Sequence, residues 1–143
     1  MSRVKINYPD QIPIFTIEIP VRITDLNYGN HLGNDAVLSI IHEARARFLH
    51  KNKLNELNIG NCGLIMADTA IVYKAEAFFG DLLKIDIFAD NLSTLSFDLL
   101  YKVTTIRDKE EIVVCDVKTG MVCFDYEKRK VCPMPAGFRK MLG

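Results

Sequence analysis

The chain has 143 residues, 49% of them hydrophobic, and its 18 Lys plus Arg balance 18 Asp plus Glu. That length suits one domain, 1–143, able to bury its own core, and the apolar content excludes disorder. The balanced charge offers no basic face for nucleic acid, and no apolar run nears the ~20 residues that cross a bilayer. The first ten residues lack the apolar stretch of a signal peptide, so a cytoplasmic protein without a membrane partner is expected.

The predicted elements run as follows. Residues 14–24 alternate, with Phe15, Ile17, Ile19, Val21 and Ile23 on one face, and predict a half-buried strand. Pro20 inside it predicts an edge position or a bulge. Residues 25–34 are rich in Asn, Gly and Asp and read as a turn-rich loop. Asn34 or Asp35 then caps a helix that follows over 36–52. Val37, Leu38, Ile40, Ile41, Ala44, Phe48 and Leu49 give that helix a wide apolar arc, which predicts that the chain largely wraps it. Residues 64–74 are apolar on both faces, as in a central strand. Residues 82–91, 95–106 and 111–125 alternate again, with a polar hairpin turn at 106–110. Pro133 and Pro135 end the last strand, and 136–142 suit a final helical turn. Strand, long helix, then four strands make an α+β layer arrangement.

Four cysteines stand at 62, 115, 123 and 132, without C-x-x-C spacing or a nearby His. They read as small buried hydrophobes in a reducing compartment. His42 and His50 on the helix share no ligand spacing with His31, so no metal site is expected.

The stretch 21–45 carries the most informative pattern. It contains Val21-Arg22, Asp25, Asn27, Asn30-His31-Leu32-Gly33-Asn34 and Glu43-Ala44-Arg45. This resembles the hotdog-fold acyl-CoA thioesterases of the 4-hydroxybenzoyl-CoA type, which read V-R-x-x-D-x-D-x-x-G-H-V-N-N and later E-A-R. Their Y-x-x-P-A-x-x-G-D resembles Tyr73 to Asp81, and their closing P-x-P resembles Pro133-Met134-Pro135. The resemblance covers roughly residues 14–140. It implies a long central helix wrapped by a curved antiparallel sheet of five to six strands. It also implies a homodimer or a dimer-of-dimers tetramer. The substrate would carry an acyl group thioesterified to coenzyme A or an acyl-carrier protein, with no cofactor besides the coenzyme A of the substrate.

Thioester hydrolysis needs a polarised carbonyl, an attacking water or carboxylate, and alignment. The resemblance maps the polarising N–H onto Asn34 at the helix start, where unpaired N–H groups and the positive dipole end converge. Gly33, with Gly29 in the same loop, allows a ligand to come close. The position that often carries the catalytic Asp is Asn27, and an amide is no base at neutral pH. Asn27 then either orients a water or is simply a turn residue. Glu43 and Asp35 are the replacement carboxylates. Glu43 alternatively pairs with Arg47 at i+4, and Asp35 alternatively complements the helix dipole. His31 either donates to the thioester or orders the loop. Asp25 reads as a loop organiser accepting backbone N–H bonds. Lys74, Lys84, Lys102, Arg45 and Arg47 are candidates for the coenzyme A phosphates. Pantetheine would lie along 69–74, from Thr69 to Lys74, and Tyr28, Met66, Phe78 and Phe79 are candidates for an acyl pocket. Two rival readings stand: a non-catalytic acyl-CoA or carrier-protein binding module, and a hydratase, for which the His-Phe-Pro-Gly pattern is missing.

Overall fold

The structure is a computed structural model and describes residues 3–143. Strand β1 (Phe15–Pro20) leads through a short 3-10 turn (Ile23–Asp25) to helix α1 (Asn34–Lys51). Strands β2 (Gly63–Tyr73), β3 (Leu82–Asp90), β4 (Ser96–Arg107), β5 (Glu110–Asp125) and β6 (Lys130–Val131) follow, then helix α2 (Ala136–Leu142). One antiparallel sheet has the order β1-β3-β4-β5-β2, with β6 on β5. Its inner face packs on α1. Val37, Ile40, Ile41, Ala44, Phe48 and Leu49 of the helix share one core with Leu83, Ile85, Ile87, Phe97, Leu99 and Val117 of the strands. This is the hotdog arrangement.

The first strand alternates between exposed and half-buried residues, as expected, and lies at the sheet edge. It ends at Pro20, short of the predicted residue 24. Val21 still turns inward and its N–H reaches Asp81 C=O at 2.9 Å, but Ile23 is 64% exposed in the turn that follows. The 107–110 hairpin closes as predicted: Arg107 faces Glu110, and Asp108 and Lys109 both have positive φ, the two-residue turn that matches strand twist.

Three expectations change. The residue capping α1 is Gly33, not Asn34 or Asp35, and it offers no side-chain bond to the first turn. The helix is wrapped on one side only. Leu38, His42, Glu43 and Arg47 form an exposed stripe along it, so the apolar arc is narrower than the composition suggested. Finally, β2 is not a central strand. It pairs only with β5 among the described residues, and its other edge carries no strand, although Leu64 N–H at its start donates to Glu56 C=O at 2.7 Å. The apolar residues on both its faces therefore include exposed ones, Met66 and Tyr73 among them.

All four cysteines are free, and Cys62, Cys115 and Cys123 are buried. Burial pushes the Cys115 thiol up to about 12. It likewise raises Cys62, to about 12, beside Cys132 and Cys123.

Candidate active site at the start of the long helix

The loop 25–33 folds on itself before α1 begins. Asn27 N–H donates to His31 C=O at 3.0 Å, and Asn30 N–H donates to Asn27 C=O at 3.0 Å. The Asn27 amide oxygen accepts Gly29 N–H at 2.8 Å, an Asx turn. Asn30 takes a positive φ to close it. A side chain at Gly29 would meet the His31 ring at 3.0 Å, so the missing Cβ is what lets the imidazole lie there. Gly33 has an ordinary extended φ, but a Cβ on it would sit 2.7 Å from an Asp35 carboxylate oxygen.

Asp25 anchors the loop from below. Its carboxylate accepts Arg22 N–H at 2.8 Å and the Arg22 guanidinium at 3.1 Å, and its C=O accepts Gly33 N–H at 2.9 Å. Burial works to raise its carboxyl, but the bonds from Arg22 prevail and hold it below the usual carboxylate range.

The N–H groups of Asn34 and Asp35 lie in the first turn and have no acceptor within the helix. A cleft of about 260 Å³ lies at this end, lined by His31, Asn34, Val37, Tyr73, Lys74 and Glu76, among others. Tyr73 closes it from β2, with its hydroxyl donating to Asn34 C=O at 3.3 Å. The segment 75–77 is brought there by the bond from Leu32 N–H to Ala77 C=O, at 2.7 Å. Arg107 fixes its far side by donating to Glu76 C=O at 3.2 Å and to Asp81 at 2.6 Å. Lys74 is tied down as well, its ammonium 2.9 Å from the buried Asp116.

Of the expected site residues, His31, Asn34 and Lys74 share this cleft, with Asn27, Gly29, Gly33 and Asp25 forming the loop beneath it. Glu43 stands elsewhere. It lies nine residues from Asn34, about 13 Å along the helix axis. It pairs with Arg47 at 2.5 Å and lines clefts on the exposed stripe instead. Asp35 is exposed in the first turn, and Tyr28 projects fully into solvent. Thr69 sits along β2, its hydroxyl on the Met66 sulfur at 3.1 Å. Among the suggested cations, Arg45 is no phosphate ligand. It is buried, 2.5 Å from Glu56 and 3.3 Å from the Tyr101 hydroxyl. The sequence gives no role to Glu76 and places Tyr73 only within the 69–74 edge expected for pantetheine. Their signal was present in the Tyr73–Asp81 pattern, but it is the Leu32–Ala77 and Tyr73–Asn34 bonds that show this segment meeting the loop.

The sequence profile of the thioesterase-like superfamily matches residues 21–142, and the chain belongs to that superfamily. A 1,4-dihydroxy-2-naphthoyl-CoA hydrolase of Microcystis aeruginosa is 31% identical over 110 residues, covering 75% of this chain and 77% of that one. Two solved structures share the fold. The PA2801 protein of Pseudomonas aeruginosa superposes with a TM-score of 0.81 at 19% identity, covering 92% of this chain and 99% of that one. Slr0204, a 1,4-dihydroxy-2-naphthoyl-CoA thioesterase from Synechocystis, gives 0.78 at 24%, covering 90% and 94%.

Proposed function

We propose that the protein hydrolyses an acyl-coenzyme A thioester to free acid and thiol. The observation that carries this reading is the cleft at the start of α1, where free backbone N–H groups meet His31 and Lys74. A thioester carbonyl seated there would gain negative charge against fixed donors and the positive helix end, which need no reorganisation as the charge develops. The reaction requires no cofactor, because coenzyme A enters as part of the substrate. The relative named for a naphthoyl-CoA supports a bulky aromatic acyl group. Free thiols suit work in the cytoplasm.

The test is release of free thiol from short, long and aromatic acyl-CoA esters and from acyl-carrier protein, read with a thiol-reactive dye. Turnover is expected on CoA esters, fastest with an aromatic acyl group, and well above a mock purification. Asn27 favours a second reading. Its amide oxygen is engaged by Gly29 N–H and it supplies no carboxylate, as a binding module would tolerate. Tight binding of every ester with no thiol release would establish that reading instead.

The working unit is a homodimer or an assembly of dimers. The outer edge of β2, which carries no strand beyond Leu64 among the described residues, supports this, because an unpaired edge is a template for another strand. Light scattering is expected to give at least twice the 16.2 kDa of one chain. A monomer at micromolar concentration removes this part of the reading.

A further inference from the structure

The loop that would carry a carboxylate has Asn27 in its place, so the attacking water lacks an evident base there. One carboxylate nevertheless faces the cleft. Glu76 is the only Asp or Glu among the residues that line it. It stands where the family pattern Y-x-x-P-A carries proline, so the chain has an added carboxylate on one wall and a missing one on the other. Its Oε1 lies 3.9 Å from His31 Nε2. The opposite ring nitrogen, Nδ1, is 3.2 Å from Leu32 C=O. In the tautomer that donates along that contact, the ring proton is on Nδ1 and Nε2 is an acceptor. His31 Nε2 and the Glu76 carboxyl oxygen thus flank a single position at the mouth of the helix.

We propose that Glu76 is the general base of thioester hydrolysis in this protein, with His31 as the positioning residue that shares its water. The inference rests on the thioesterase reading above. One water gives one hydrogen to Nε2 and the other to Oε1, which turns its lone pair toward the cleft. As the water oxygen bonds to the acyl carbon, Glu76 takes its proton and the carbonyl oxygen becomes an oxyanion held by the N–H groups at Asn34. The carbonyl then re-forms, the carbon–sulfur bond breaks, and the leaving thiolate takes the proton from Glu76. The products are a carboxylic acid and a thiol, and the carboxylate is restored.

Three features fit Glu76 for this. Its backbone is held from both sides, by the Leu32–Ala77 bond and by Arg107. Its side chain is 63% exposed, so it meets water. The nearby ammonium of Lys74 is occupied by Asp116 and does not neutralise it.

The test compares the wild-type protein with Glu76→Gln and Glu76→Asp on the best ester from the panel. Glu76→Gln is expected to lower kcat at least 100-fold with KM changed less than threefold. Far-ultraviolet circular dichroism and the affinity for free coenzyme A should stay unchanged, which separates lost chemistry from lost structure. Glu76→Asp keeps the carboxylate on a shorter arm and is expected to recover at least tenfold over Glu76→Gln. Turnover within threefold of wild type in Glu76→Gln overturns the inference and leaves the thioesterase reading intact. Equal losses in both variants overturn the carboxylate role in the same way. No turnover by the wild-type protein on any ester overturns both.

Discussion

Replacing Arg45 by alanine is expected to lower the unfolding free energy by about 3 kcal/mol. Arg45 lies on the inner side of α1 and is 6% exposed. Its guanidinium joins three elements. It reaches Glu56 in the segment after the helix, and the Tyr101 hydroxyl on β4, which in turn lies 2.8 Å from the Thr119 hydroxyl on β5. Removing a buried cation leaves its partners desolvated and unpaired, which is why breaking such a pair costs more than the pair itself contributes. Glu56 is partly exposed and has His42 at 3.5 Å, so the loss falls at the lower end of the range for fully buried pairs. Guanidinium unfolding should show a lower midpoint with an unchanged slope. Arg45→Lys should recover only part of the loss, because a single ammonium does not span Glu56 and Tyr101 as the planar fork does. A loss under about 1 kcal/mol for Arg45→Ala would show that water reaches Glu56 freely enough to replace the guanidinium.

The second large effect is expected at Asp25. Asp25→Asn should destabilise the protein by about 2 kcal/mol near neutral pH, since charge-assisted hydrogen bonds are worth roughly 1.5–3 kcal/mol. Most of that belongs to the Arg22 backbone N–H bond, because the Arg22 side chain is 69% exposed and its attraction is screened. The pH dependence follows from the lowered carboxyl of Asp25. The unfolded chain binds a proton near pH ~4 and the folded one only at lower pH. The contribution is therefore fully present above about pH 4 and is lost as the pH falls through the folded value. Wild type and Asp25→Asn should differ in midpoint at pH 7 and converge in acid. A constant difference across that range would mean that Asp25 acts through shape alone.

The sequence carried the fold because its signals were local and periodic. The alternation at Phe15, Ile17 and Ile19, the helical recurrence from Val37 to Leu49, and the loop between them are each read within a few residues. The Asp108–Lys109 turn is likewise decided by its neighbours. What failed depended on the rest of the chain. The predicted strand stops short because the chain turns after Val21, whose N–H makes the last bond in register with β3, to Asp81, 60 residues on. The apolar residues on both faces of β2 predict burial, but they do not tell a central strand from an outer one. Arg45 follows Ala44 on the buried arc, so its helical position gave more away than its charge did. The site was half legible. The loop 25–34 announced itself by composition and pattern. Glu76 did not, because its place beside the loop depends on contacts with distant residues, Leu32 to Ala77 and Arg107 to Glu76 among them.

The amino-terminal segment is also part of this wiring. The Tyr8 hydroxyl lies 2.5 Å from Asp116, whose other oxygen holds Lys74, and its ring packs against Phe88 with centroids 5.1 Å apart. Burial and the adjacent carboxylate push the Tyr8 phenol far up, so at physiological pH it stays a donor. Asp116 thus has two clients, a tyrosine from the chain's beginning and a lysine at the cleft. A purification tag or fusion partner that pulls Tyr8 off the sheet would leave that carboxylate with Lys74 alone and expose it to solvent. The choice of which terminus to tag is consequently a choice about the electrostatics of the cleft.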